Sequence, residues 1–217
     1  MNKKFYDLPQ EKQDTIINAA LHVFAKYDYK KASTDEIVSL AGISKGLLFH
    51  YFENKKGLYL FLYQYAADYL VREMRKQHDF SETDYFRIVV NAQMSKLAVL
   101  SKHPDIMLFL VQAYYEESPV VKNELDKSFG MIVTDSSQRF LERADTSKLK
   151  EDVPPEKVLN IILWMAEGFM RTRTPEQLAD LPKLNEEFLD HIELLRRQVY
   201  KPEFLEEQKE EGVIKWQ

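Results

Sequence analysis

Apolar residues recur along most of this chain at intervals of three and four, the spacing of one face of an α-helix. Asp7-Leu8-Pro9 reads as a helix start, with proline tolerated in the first turn, and Ile16, Ala20, Val23, Phe24 and Tyr27 follow as its apolar stripe. Ile37, Leu40 and Ala41 mark a short second helix ending at Gly42, and Lys45 to Phe52 a third. A fourth runs from Asn54 to about Lys76, lined by Leu58, Phe61, Leu62, Tyr65, Tyr69, Leu70 and Met74; it would span ~34 Å. His78 to Thr83 is a polar break. Three helices follow: 84–102, one opened by Pro104, and one from about Val120 to Ala144 after Pro119. Asp145 to Pro155 is a charged loop. The run EKVLNIILWMAEGFMRT after it is apolar on nearly all faces, which predicts burial on both sides. The last clear helix, 185–200, carries Phe188, Leu189, Ile192, Leu195 and Val199. The tail from Lys201 alternates charges with Phe204, Leu205, Val213, Ile214 and Trp216 and is assigned no element. The fold class is all-α.

Composition supports that class. Of 217 residues, 45% are hydrophobic and 30% charged, the balance of a globular chain, and there are only six glycines to interrupt helices. There is no cysteine, which excludes disulfides and thiolate chemistry and suits a reducing cytoplasm. The N-terminal lysines are followed by no apolar run, and no apolar stretch approaches the ~20 residues of a membrane span. The expectation is a cytoplasmic protein with no membrane partner. The net charge is −5, unevenly spread: residues 1–60 hold nine lysines against seven acids, a net of +2, and the rest carries −7.

The stretch STDEIVSLAGISKGLLFHYFENKKGL, residues 33–58, carries the most local information. Ser33 and Glu36 form a capping-box pair. Gly42 falls where the helix must stop with a positive φ. Ile43 can wedge between two helices, and Ser44 and Asn54 can cap the next two. Lys45 and Lys55 then occupy the first positions of two helices, where the dipole disfavours a cation by ~0.3–1 kcal/mol. A helix start bearing free amides and a lysine suits a phosphate group.

The run SKGLLFHYFENKKGL resembles the helix-turn-helix signature of the TetR (tetracycline-repressor-like) family of transcriptional regulators, over roughly residues 12–60. The resemblance implies an N-terminal three-helix DNA-binding domain, residues 1–53, and a C-terminal helical effector-binding and dimerisation domain, residues 54–217, with helix 54–76 connecting the two. It implies double-stranded DNA as partner, a homodimer on a palindromic operator, a small-molecule effector, and repression as the commonest outcome. By position it places Ser33 and Thr34 against phosphate, Lys45, Gly46, Leu47, Phe49, His50 and Tyr51 on the recognition helix, and Lys55 in a phosphate grip. The family usually has tyrosine at position 49 and often threonine at position 47. Phe49 and Leu47 shift base readout here towards apolar contact, with Lys45 as the polar reader.

Aromatic and methionine residues in the body, Met94, Phe109, Tyr114, Tyr115 and Phe129, are candidates for an effector pocket, and ordinary core is the alternative. Ile161, Met165, Phe169, Phe188, Ile192 and Leu195 are candidates for the dimer face, where the family pairs its two last body helices. Gly168 would permit close helix approach there. No catalytic constellation is present: no Cys, no G-x-S-x-G, no phosphate-cradling glycine loop, and no Glu-x-x-His among the scattered His22, His50, His78, His103 and His191. The expectation is no enzyme, no metal and no cofactor. A helical interaction scaffold with a non-functional head is the competing reading.

Overall fold

The computed structural model describes residues 3–77, 81–173, 177 and 180–206. His78 and the tail residues Val213, Ile214 and Trp216 lie outside them. After a 3-10 turn at Lys3–Phe5 come α1 Gln10–Lys26, α2 Thr34–Ala41, α3 Lys45–Phe52, α4 Lys55–Gln77, α5 Tyr85–Lys102, α6 Pro104–Tyr114, α7 Lys122–Arg143, α8 Pro155–Arg171, α9 Leu181–Val199 and a last turn α10 Glu203–Glu206. The described residues contain no β-strand, only two isolated bridges. None of their helices is long and apolar enough to cross a membrane.

The helix ends follow side-chain chemistry. Ser33 Oγ accepts from the Glu36 amide at 3.4 Å and Ser44 Oγ from the Leu47 amide at 3.2 Å. Gly42 adopts φ 62°, its N–H reaches Ser39 O, and the Ile43 N–H reaches Val38 O at 3.1 Å. That pair of reversed bonds is the Schellman closure, and it seats Ile43 against the core. One expectation shifts: α9 begins at Leu181, not at 185. Asp180 accepts from the Lys183 amide at 3.3 Å, and Pro182 fits the first turn.

The chain forms two compact units. Residues through Lys76 with Val99–Ile132 make the first; Gln77–Ala98 with the residues from Val133 make the second. In the first, Phe24 packs edge-on to Tyr59 at 4.8 Å, and Phe109 of α6 meets the same Tyr59 at 5.2 Å. Ile37, Leu48, Phe52, Leu58, Val121 and Leu125 complete this core. Phe5 is fully buried in it, against Phe52 at 4.9 Å and Tyr51 at 5.7 Å. The compact grouping does not follow a cut at 53/54, because α4, α6 and the first half of α7 pack with the helix-turn-helix.

The second unit buries Tyr85, Phe86 and Val90 of α5 with Val158 and Ile162 of α8 and Phe188 and Ile192 of α9. A polar knot fixes its corner. The buried Asp84 carboxylate accepts from the amides of Phe86 and Arg87 at the start of α5, from the Tyr200 hydroxyl at 3.0 Å and from Lys148 Nζ at 2.8 Å. Burial pushes this carboxyl up, but Lys148, the Arg87 amide and Tyr200 outweigh it and hold the group below its usual range.

Candidate nucleic-acid interface

The first two helices of the turn motif are short, and their packing decides what α3 can offer. Leu48, Tyr51 and Phe52 face the core. Lys45, Gly46 and His50 face outward, and Leu47 and Phe49 are half-buried. The outward strip is therefore 45, 46, 49 and 50, one turn apart in pairs. Tyr51 does not belong to it. Its ring is held by Phe5 on the inner side, a partner contributed by the N-terminal 3-10 turn. Leu40, read as part of the α2 core stripe, lies outward, while Ile37 and Ala41 are buried.

Gly46 adopts no positive φ, and a Cβ there would meet nothing nearer than Ser44 Oγ at 4.0 Å. The fold itself does not require glycine at this point. Gly57 is the opposite case. A Cβ there would run into the Phe52 carbonyl, so glycine lets the first turn of α4 close on the end of α3. The corner between them is tight: Glu53 adopts φ 66° and ψ −55°, and Asn54 Oδ1 caps the Gly57 amide at 2.9 Å. A non-glycine residue at positive φ is uncommon; here it aims α3 and α4 from one short hinge. Neither Glu53 nor Gly57 was singled out by residue type.

Both lysines find partners within the chain. Lys45 Nζ pairs with Asp35 at 2.9 and 3.0 Å, with both side chains exposed. Such a surface pair is worth ~0–1 kcal/mol and yields readily to phosphate. Lys55 is turned inward. Its Nζ donates to Ala32 O at 2.6 Å and Lys30 O at 3.3 Å and lies 4.9 Å from the centre of the Tyr29 ring. Burial lowers its pKa, against the pull of Asp28 and Glu116. The amine thus staples the 28–32 loop to the start of α4, and that loop delivers Ser33 and Thr34, both half-buried, to the start of α2. The Ser33 hydroxyl is occupied by its cap bond.

The remaining candidates divide. Phe109 is core of the first unit, packed against Phe24 and Tyr59. Tyr114 meets Tyr115 at 5.0 Å and the exposed Phe129 at 5.4 Å, an aromatic group in the first unit. Met94 stands apart in the second unit, its Sδ accepting from Asn185 Nδ2 at 3.3 Å. The candidate dimer face divides as well. Phe188 and Ile192 fill their own unit's core, Ile192 with 0% exposure, and are not on the surface. Met165, Phe169 and Leu195 are half-buried, and Ile161 is exposed. The outward apolar side chains are Ile161, Trp164 at 66% and Leu194 at 61%. Gly168 follows Ile161 and Trp164 on the same face of α8 with open space beside it. Periodicity marked the stripe on each helix but not which edge the unit consumes.

Three comparisons bear on this geometry. Residues 16–61 match the family model for bacterial regulatory proteins of the tetR family. The chain is 22% identical over 156 residues to the HTH-type transcriptional regulator RutR of Escherichia coli K12, covering 70% of each. It is 37% identical over 76 residues to the HTH-type transcriptional activator FasR of Mycolicibacterium smegmatis, about a third (35%) of each. A TetR family transcriptional regulator from Chloroflexus aurantiacus superposes with a TM-score of 0.61 at 22% identity, over 92% of this chain and 98% of that one.

Proposed function

We propose, on the premise that this chain is a TetR-family DNA-binding transcriptional regulator, that it acts as a cytoplasmic homodimer that represses from a near-palindromic operator and releases it on binding a small molecule. In this reading residues 1–53 read DNA, helix 54–76 connects, and the remainder binds effector and partner. The observation that supports it most is the outward strip Lys45, Gly46, Phe49 and His50, on a helix aimed by the Gly42 turn before it and the Glu53 corner after it. Laid in a major groove, Lys45 reads a base edge, and Phe49 contacts a thymine methyl or sugar. Ser33 and Thr34 bring the α2 start to phosphate. Lys55 supports this contact by holding the loop before them.

Two heads related by a two-fold axis read half-sites ~34–36 Å apart or a multiple. Ile161, Trp164, Gly168 and Leu194 supply the face that a second copy covers. An effector switches the dimer only if it binds the two forms unequally, typically by ~1–3 kcal/mol. FasR being an activator, the sign of regulation is the part most directly checked by measuring transcription from the bound promoter. The decisive experiment is selection of duplexes from a random library by the purified protein. A palindromic consensus is the expected result, with the preference at one base position relaxed by Lys45→Ala. Failure to enrich any sequence refutes the reading and favours the scaffold.

A further inference from the structure

We infer that Glu116, at the corner between α6 and α7, is a positioning residue of the DNA interface, acting on it from outside the helix-turn-helix. The inference rests on the DNA-binding reading above. Glu116 is 8% exposed. Its Oε2 accepts from the Tyr29 amide at 2.7 Å, 87 residues away in sequence, and its Oε1 accepts from the Ser118 amide at 2.8 Å. Both oxygens are therefore used, one inside its own turn and one on the loop that follows α1. The same loop is also held by Lys55, through the Lys30 and Ala32 carbonyls and over the Tyr29 ring. The Tyr29 ring is locked edge-on to Tyr59 of α4 at 5.2 Å.

The loop is thus clamped between an anion on the α6–α7 corner and a cation at the head of α4. Lys55 feels the charge of Glu116, which favours the ammonium form. What the clamp fixes is the entry into α2, since Ser33 and Thr34 follow Ala32 directly. A displacement of the α6–α7 corner must pull on Tyr29 or break its bond to Glu116. A buried carboxylate gives up water to be there, and it is tolerated when its acceptors are filled. Only a carboxylate fills this place. Glutamine would present an amide NH₂ to one of the two N–H groups, donor against donor.

The test compares wild type, Glu116→Gln, Lys55→Met and the double variant, at a temperature where circular dichroism shows all four folded. The probe is the duplex that wild type selects from a random library. Glu116→Gln is expected to weaken binding about two- to thirtyfold. Because both residues act through one loop, the double variant is expected to bind no worse than the weaker single variant, instead of showing the product of the two factors. Ile162→Val, in the second unit, serves as a control for destabilisation alone and is expected to bind as wild type does. Should Glu116→Gln fail to fold, Glu116→Asp, which keeps both acceptors and shortens their reach, carries the same comparison. Wild-type binding by the Glu116 variant, or multiplying factors in the double variant, overturns the inference and leaves the DNA reading standing. Wild type selecting no DNA overturns both.

Discussion

Gly46→Ala separates what the fold needs from what the ligand needs. In the free protein the new methyl meets nothing within 4 Å but the Ser44 hydroxyl, at 4.0 Å, and no positive φ stands in its way. Alanine in place of glycine inside a helix gains up to about 1 kcal/mol. At the second residue of α3 about half of that is realistic, which raises the melting temperature by about 1–4 °C. In a complex the balance reverses. If position 46 lies against a groove wall, the methyl overpacks the contact at a cost of about 1–3 kcal/mol. The dissociation constant for the selected duplex should then rise about tenfold, which corresponds to ~1.4 kcal/mol. Calorimetry on the free protein and fluorescence anisotropy with labelled duplex give the two numbers. A variant that is more stable and binds DNA as tightly as wild type would show that this edge of α3 does not face the duplex. Gly57→Ala gives the contrasting outcome: the obstacle is the Phe52 carbonyl, so stability itself should fall by about 3 kcal/mol or more.

Other perturbations test other parts of the molecule. Asp35→Asn releases Lys45 from its surface partner and should tighten binding to random-sequence duplex about two- to fivefold at low salt, with a steeper salt dependence; unchanged binding would remove Lys45 from the interface. Trp164→Asp, alone or with Ile161→Asp, should leave the second unit folded and convert the proposed dimer to monomer in sedimentation velocity. A dimer that persists places the interface elsewhere. Asp84 carries a pH prediction. Its folded pKa lies below the unfolded value of about 3.9, so its contribution is present above that pH and is lost as pH falls through the folded value. Asp84→Asn should cost about 2–3 kcal/mol near pH 7 and flatten the acid side of the stability profile. An equal loss at pH 3 would contradict that assignment.

Local chemistry was legible, and long-range partnership was not. Ser33, Gly42 and Ser44 announce their turn because cap and left-handed positions are decided within four residues of sequence. The placement of α2, α3 and α4 follows, and it agrees with the family match over 16–61. Lys55 misleads for the opposite reason. A cation at a helix start looks unsatisfied until the Lys30 and Ala32 carbonyls, up to 25 residues upstream, are seen to receive it. Glu116 gives no signal at all, since a pair of glutamates after an apolar run, here Glu116 and Glu117, usually reads as a solvated helix end. Phe188, Ile192 and Phe109 show the limit of periodicity: it finds the apolar stripe of a helix, but whether that stripe faces its own unit, a ligand or a second copy depends on helices far away in sequence. The outward Trp164 was hidden inside a run apolar on almost every side.

Exchanging DNA-reading heads between regulators is a natural way to rewire a promoter, and the packing of Phe109 dictates where the seam can run. A transplant ending at residue 53 would carry Phe24 and Ile37 but leave behind Tyr59 and Phe109, which pack on Phe24, and Val121 and Leu125 of the same core. The recipient would have to supply matching shapes by chance. A working hybrid of this chain therefore needs two grafts made together, one through the end of α4 and a second spanning 99–132.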